Sequence, residues 1–234
     1  MTFQMGMVAT DGVLLASDRK VTNISGFRYG WMTPKIKVYE DLGFAHQSAG
    51  DALCNTFAHE LYREIKKGKV QFAGGKFGEV EPALAQCVEI AQSKEATNRV
   101  ENSVGRMPLP KCIGGATMVV FWGNGTVALW VVSTQEASPG IEFIDVGSSR
   151  VTGHPNLAGF FPDHYFSKLP NKLDALLPLA VHSVRMAECD VVGGLQVATF
   201  TKGGPRIFTS QELKRYDKLS RELNREILKR LKAA

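Results

Sequence analysis

Short apolar segments separated by turn residues fill the N-terminal part of the chain and predict two pairs of strands. The apolar stretch from 3 to 17 is interrupted at Asp11-Gly12, a dipeptide favoured in tight hairpin turns. Residues 35–39 and 44–48 form a second pair of extended segments. We therefore expect two hairpins before any helix begins.

A change of hydrophobic period after these strands predicts two consecutive helices. Ala49-Gly50 marks the junction, and Asp51 is a suitable N-cap because its carboxylate can accept hydrogen bonds from the first helical amides. Apolar residues then recur with helical spacing up to residue 65. They do so again over 80–100, after a glycine-rich connection.

The rest of the chain mixes strands with helices. In order, the pattern predicts a hairpin over 114–132, a strand over 141–146, an irregular loop over 153–170, a helix over 172–187, a hairpin over 195–208 and a C-terminal helix opened by a capping box at 209–212. Clustered strands and paired helices disfavour a doubly wound parallel sheet and favour antiparallel sheets covered by helices. Because the 234 residues contain no linker-like segment, we expect a single domain over 1–234.

Composition and charge narrow the function classes. With 44% hydrophobic and 22% charged residues, the chain is an ordinary globular sequence. Much of the net charge of +5 lies in residues 211–234, where basic residues flank an apolar stripe of helical spacing. That pattern favours a half-buried helix over a nucleic-acid surface. No apolar run approaches the roughly 20 residues that cross a bilayer, and no secretory signal is recognisable, so we expect a cytoplasmic protein that binds neither membrane nor nucleic acid.

Cysteine and histidine spacing predicts no metal site. The four cysteines form no C-x-x-C pair and are interpreted as small core residues: Cys54, Cys87, Cys112 and Cys189. The histidines show neither H-x-x-x-H nor H-E-x-x-H spacing: His46, His59, His154, His164 and His182. We expect neither a metal nor an organic cofactor.

Thr2 is a candidate nucleophile because it follows the initiator Met1. Initiator methionine is usually removed when the next side chain is small, and removal would leave a hydroxyl and a free α-amine on one residue. A threonine hydroxyl needs a base to take its proton, and an N-terminal amine can serve as that base. The amine has an ordinary pKa of roughly 7.7 to 8.0 and is therefore partly neutral at physiological pH.

Asp18 and Lys35 are candidates for supporting this nucleophile. Asp18 directly follows an apolar strand, and Lys35 directly precedes one. A buried lysine beside Thr2 would lower the pKa of the hydroxyl and stabilise developing negative charge, and a carboxylate would keep that lysine charged. An ordinary surface charge is the alternative interpretation of each residue.

The N-terminal segment resembles the proteasome β-subunit family of N-terminal nucleophile (Ntn) hydrolases. Those subunits begin with Thr, carry Gly four residues later, and continue through an Asp-Gly-Val-Val-Leu-Ala-Ala-Asp type motif to an Arg and a Thr. This chain has Thr2, Gly6, the motif at 11–18, Arg19 and Thr22 in the same register without a gap. Two bacterial branches fit, the HslV peptidase and the separate bacterial proteasome homologues, and the long 153–170 segment with the basic C-terminal helix favours the latter.

The resemblance implies roles for six positions. Thr2 is the nucleophile and, through its amine, the base. Asp18 supports the active-site lysine, which is Lys35 if one residue is inserted in the loop before it. The amide near Gly50 contributes to the oxyanion hole, and the Ser148 side chain forms a hydrogen bond near the amine of Thr2. Asp190 matches the family's Asp-x-x-Ser-Gly-Gly element less well, because the segment here is one residue shorter and lacks the serine.

The resemblance also implies a four-layer αββα sandwich of two antiparallel sheets, in the α+β class. The implied function is a threonine endopeptidase subunit of homo-oligomeric stacked rings that degrade unfolded polypeptides, with an ATPase unfoldase as a compatible partner. Three alternatives stay open: an inactive ring subunit, an Ntn amidase acting on small amides, and a basic binding module that works through the C-terminal helix. Strongly salt-dependent nucleic-acid affinity would favour the last.

Overall fold

Two antiparallel five-stranded sheets form the centre of the structure, a computed structural model that describes residues 2–21, 31–70, 79–103, 114–135, 139–153, 156–187 and 194–233. Sheet I contains β1 (Phe3–Ala9), β2 (Gly12–Asp18), β10 (Ser149–Gly153), β11 (Leu195–Thr201) and β12 (Gly204–Ile207), in the order β10-β1-β2-β11-β12. Sheet II contains β5 (Lys37–Tyr39), β6 (Phe44–Gly50), β7 (Gly115–Gly123), β8 (Thr126–Ser133) and β9 (Gly140–Ile144), in chain order. The short strands β3 (Lys20–Val21) and β4 (Trp31–Met32) pair with each other.

Helices cover the outer face of each sheet. The helices are α1 (Ala52–Lys66), α2 (Val80–Ser103), α3 (Asn156–Tyr165), α4 (Leu173–Ala187) and α5 (Ser210–Ala233). One hydrophobic cluster joins sheet I to α4 and α5, and another joins sheet II to α1 and α2. A third cluster fills the space between the sheets. The order helix, sheet, sheet, helix confirms the predicted αββα sandwich.

Strand alternation explains how sheet I can be buried on both faces. Leu14 on β2 packs in the cluster beneath α4, whereas its neighbours Val13 and Leu15 pack between the sheets. All three side chains have no solvent-exposed surface. Successive strand residues point to opposite faces, so an uninterrupted apolar run is what a strand enclosed on both sides requires.

Two helix starts are fixed by the caps that the sequence predicts. The Asp51 side chain accepts a hydrogen bond from the amide of Leu53 at 3.0 Å, which opens α1. At α5, the amide of Thr209 donates to the Glu212 carboxylate at 2.7 Å, and the Glu212 amide donates back to the Thr209 hydroxyl at 3.3 Å. The backbone bond from Thr209 is the main reason that the pKa of Glu212 falls to about 2.

The predicted irregular loop over 153–170 is wrong. The structure has the helix α3 there, followed by a short 3-10 turn at Phe166–Lys168. Its prolines and aromatic residues are locally typical of a loop, but Phe161 and Phe166 pack against the core beneath sheet I. Tertiary packing therefore offsets the hydrogen bond lost at Pro162 inside the helix. The strand β10, just before this helix, was also not predicted.

The remaining sequence predictions concern cysteines and membranes. Cys54 and Cys87 are free thiols buried in the structure, as expected for small core residues. Cys112 and Cys189 lie outside the described residues. Within the described part of the chain, no helix is both long enough and apolar enough to span a membrane.

Candidate active site

The first hairpin brings Thr2 and Asp18 together. Gln4 on β1 lies opposite Ser17 on β2, so the start of β1 adjoins the end of β2. The amide of Phe3 donates to Asp18 Oδ1 at 2.8 Å. Asp18 has no solvent-exposed surface, whereas Thr2 is partly exposed. The threonine is thus reachable from outside while its neighbouring carboxylate is shielded.

Lys35 connects the two residues. It lies in the irregular segment between β4 and β5, and its Nζ is 2.8 Å from both carboxylate oxygens of Asp18. The same Nζ is 2.9 Å from Thr2 Oγ1. Only 9% of Lys35 is exposed. Burial lowers the pKa of Lys35, and the hydrogen bond and charge of Asp18 act in the opposite direction.

This arrangement can polarise a hydroxyl group. An ammonium group within hydrogen-bonding distance of Thr2 Oγ1 stabilises negative charge as it develops there or on an adjacent atom. The Asp18 carboxylate favours the charged form of Lys35 and fixes its direction. The geometry therefore contains a hydroxyl, a cation beside it and an anion that orients the cation.

The turn at Gly50 lies at the same end of the sandwich. Gly153, at the end of β10, pairs with Phe3, and a Cβ on Gly153 would be 2.0 Å from the Thr2 carbonyl oxygen and 3.4 Å from Ala49 Cβ. Ala49 therefore lies close to Thr2, and Gly50 follows it on β6. The site thus draws on both sheets.

Close packing requires glycine at the turn itself. A Cβ on Gly50 would lie 2.6 Å from Cys54 Sγ and 2.7 Å from the carbonyl oxygen of Gly114. The turn is further held by Asp51, whose Oδ2 accepts a hydrogen bond from the Gly114 amide at 3.0 Å. The same carboxylate therefore caps α1 and ties the turn to the start of β7.

Ser148 is not part of this constellation, which corrects its expected position near the amine of Thr2. Its carbonyl accepts a hydrogen bond from the Val8 amide at 3.0 Å. Val8 belongs to the far end of β1, and the two ends of a seven-residue strand are roughly 20 Å apart. The direction of β10 explains why Ser148 is far from Thr2. This strand is antiparallel to β1, so its first residue, Ser149, pairs near the end of β1, and only its last residue, Gly153, reaches Thr2.

Asp190 lies outside the described residues. Two described residues that sequence reasoning missed are Gly153 and Gln196. Gln196 Oε1 accepts hydrogen bonds from the amides of Lys35 and Ile36 at 2.8 Å and 2.9 Å. A glutamine within the apolar run of β11 was the available sequence signal.

Histidine, cysteine and carboxylate side chains are candidate metal ligands over the described part of the chain. Among the described residues, no group of three or more of these side chains could hold a metal ion.

The buried cysteine at the turn, Cys54, has its pKa raised by burial. Burial therefore favours the neutral thiol.

Replacing Gly153 with alanine is expected to destabilise the protein and displace Thr2. The new Cβ would meet the Thr2 carbonyl, and the backbone φ of Gly153 is +94°, a conformation that costs a non-glycine residue about 1–3 kcal/mol. Urea unfolding measures the loss. Gly140→Ala is the matched control, because a Cβ there meets nothing within 4 Å. Equal stability of the two variants would contradict the close approach to Thr2.

Solved structures of Anbu proteins are similar to this chain over almost its whole length. Anbu (ancestral beta-subunit) from Yersinia bercovieri has a TM-score of 0.73 at 13% sequence identity, covering 99% of this chain and 97% of that chain. The helical assembly of the Anbu complex from Pseudomonas aeruginosa has a TM-score of 0.76 at 15% identity, covering 99% and 96%. An Anbu (Gly-1) mutant from Hyphomicrobium sp. strain MC1 has a TM-score of 0.74 at 11% identity, covering 100% and 98%.

No protein-family model matches the sequence, and no curated protein matches it. At these identities the structural likeness establishes the fold, which is proteasome-like. It does not single out the HslV branch.

Proposed function

We propose that this chain is an N-terminal threonine peptidase whose nucleophile is Thr2 after removal of Met1. The observation that carries the proposal is the position of the Lys35 ammonium, 2.9 Å from Thr2 Oγ1 and 2.8 Å from Asp18. A buried ion pair is costly to assemble unless its geometry is well satisfied, and here it is directed at the hydroxyl of the second residue. The proteasome-like fold supports the same interpretation.

The reaction begins with proton transfer from the Thr2 hydroxyl to the α-amine of the same residue, directly or through water. Thr2 Oγ then attacks the carbonyl carbon of the scissile peptide bond, and the carbonyl π electrons move to its oxygen. Collapse of this tetrahedral species breaks the carbon–nitrogen bond. The protonated α-amine donates its proton to the departing amine, which leaves an ester on Thr2.

Water completes the cycle. The neutral α-amine takes a proton from a water molecule, whose oxygen attacks the ester carbonyl. When the second tetrahedral species breaks down, the bond between the carbonyl carbon and Oγ breaks and the protonated α-amine returns its proton to Oγ. This releases the carboxylic acid product and restores the Thr2 hydroxyl and the neutral amine. Lys35 stabilises negative charge near Oγ throughout, and the amide near Gly50 is the proposed donor to the carbonyl oxygen.

The assembly that we propose is a closed homo-oligomer of stacked rings, with unfolded polypeptides as substrates. A peptidase site at a partly exposed N-terminal residue would be open to the folded proteins of the cell. Enclosure in a ring keeps those proteins away from it. An ATPase unfoldase in the cytoplasm is the matching partner for such a compartment. The known helical assembly of the Anbu complex from Pseudomonas aeruginosa supports self-association of this fold.

Intact-protein mass spectrometry tests the proposal before and after incubation with a peptide epoxyketone. We expect a chain lacking Met1 that gains one adduct, because an epoxyketone reacts with both the hydroxyl and the free amine of an N-terminal threonine. Peptide mapping should place the adduct on Thr2. Pre-incubation with a peptide boronate should prevent labelling.

Each alternative gives a different result. A Met1-free chain that forms no adduct and cleaves no peptide would indicate an inactive ring subunit. An adduct together with hydrolysis of small amides, but not of unfolded casein, would indicate an amidase. A chain that retains Met1 after purification from its own cells would overturn the peptidase proposal, because the amine of Thr2 would then be part of a peptide bond.

A further inference from the structure

The backbone around Lys35 is held by a side chain instead of a strand. Residues 33–36 precede β5 and belong to no regular element. The Thr33 amide donates to the Arg19 carbonyl at 2.9 Å, and Gln196 supplies the hydrogen bonds of the next part of the segment. Its Oε1 accepts from the amides of Lys35 and Ile36, and its Nε2 donates to the Ile36 carbonyl at 3.0 Å. One carboxamide thus satisfies three backbone groups in a segment that has no ladder of its own.

Gln196 is anchored on the strand next to the one that carries Asp18. In the pairing of β11 with β2, Gln196 lies opposite Ser17, and Leu195 lies opposite Asp18. Two neighbouring strands of sheet I therefore hold both the side-chain end and the backbone end of Lys35. Asp18 binds the ammonium, and Gln196 binds the backbone from which the side chain extends.

Burial keeps water away from these hydrogen bonds. Gln196 and Lys35 are each only 9% exposed. Water therefore has little access to replace the lost hydrogen bonds if the carboxamide is removed, so the freed amides would have to move to find partners. A shift of the Lys35 backbone would move its ammonium away from Thr2 Oγ1.

We propose that Gln196 is a positioning residue that sets the location of the Lys35 ammonium between Asp18 and Thr2. This inference rests on the proposed function of Thr2. Gln196 does not touch the reacting atoms in this scheme. It acts on the reaction only through Lys35, and a displacement of about 1 Å at such a site can reduce the rate by about 100-fold.

The experiment compares Gln196→Met with Gln47→Met in the full-length, Met1-free protein. Methionine matches the length of glutamine but makes none of its hydrogen bonds to backbone. Gln47 is the matched control because it is fully buried and donates to the Met5 carbonyl at 2.9 Å, but it makes no bond to the Lys35 segment. We expect kcat for a fluorogenic peptide to fall about 100-fold in Gln196→Met with KM within about threefold of wild type. The Gln47→Met variant should lose stability but keep kcat within about threefold.

A second measurement is independent of activity. In protein with 15N-labelled lysine, the Lys35 ammonium should titrate below its ordinary pKa of 10.5, because burial lowers that pKa. In Gln196→Met it should titrate closer to the ordinary value as the ammonium moves into water. Gln47→Met should leave the titration unchanged. If the wild-type protein has no peptidase activity, the proposed function fails, and this titration alone decides the role of Gln196.

A third variant covers failure of Gln196→Met to fold. Gln196→Asn stays neutral and keeps the carboxamide, but its side chain is one methylene shorter and cannot reach both amides as Gln196 does. It should change kcat and the Lys35 titration in the same direction as the methionine variant, by smaller amounts. The proposal is overturned if Gln196 variants keep a wild-type Lys35 titration. It is equally overturned if kcat falls no more than in Gln47→Met.

Discussion

Replacing Thr2 with valine is expected to reduce peptide hydrolysis by roughly 10⁴-fold or more, the scale of loss seen when a nucleophile is removed from a catalytic unit. Valine has almost the shape of threonine and still permits removal of Met1. The variant therefore lacks only the hydroxyl that receives the Lys35 hydrogen bond at 2.9 Å. Steady-state hydrolysis of a fluorogenic peptide and epoxyketone labelling measure the effect.

Thr2→Ser is the control for this experiment. Serine keeps the hydroxyl and the α-amine, so the variant should retain labelling and a measurable fraction of hydrolysis. Both variants should melt within a few degrees of wild type, because Thr2 is partly exposed and directly precedes β1. Hydrolysis by Thr2→Val at the wild-type rate would show that another group is the nucleophile.

Replacing Lys35 with methionine is expected to abolish activity and to lower the free energy of unfolding by about 3–5 kcal/mol. Methionine keeps a linear side chain but removes the ammonium that lies 2.8 Å from the fully buried Asp18 carboxylate. Removing one partner of a buried ion pair is strongly destabilising. Urea unfolding and peptide hydrolysis measure the two effects separately.

Two further variants separate the charge effect from the loss of a side chain. The double variant Asp18→Asn/Lys35→Met removes both charges and should recover much of the stability, but none of the activity. Arg150→Met breaks a half-exposed ion pair with Glu142 and should cost no more than about 1 kcal/mol. Full activity in Lys35→Met, or no recovery of stability in the double variant, would contradict the assigned ion pair.

Local sequence signals predicted much of the fold. Asp11-Gly12 marked the first hairpin, and the capping box at Thr209 and Glu212 marked the start of α5. These features depend on hydrogen bonds between residues that are close in sequence. The helix α3 was missed because its stability depends on aromatic packing against sheet I, which a local pattern does not contain.

The residues of the candidate site also fall into those that the sequence indicated and those that only the structure reveals. The resemblance of the ungapped register from Thr2 to Asp18 pointed to these two residues and to Lys35. The structure brings Thr2 and Asp18 together because they flank one hairpin. Gly153 and Gln196 reach this site only because β10 and β11 join β1 and β2 in sheet I. Ser148 was misplaced for the same reason, since its distance from Thr2 depends on the direction in which β10 runs.

The hydrogen bond between Lys35 and Gln196 also sets a time at which the site can form during synthesis. The two residues are 161 positions apart in the chain. Folding during translation proceeds from the N-terminus, so a nascent chain carries Thr2, Asp18 and Lys35 long before β11 leaves the ribosome. The ammonium group therefore reaches its final place beside Thr2 only when synthesis is nearly complete. Under the proposed function, an unfinished chain would not yet cleave other nascent polypeptides.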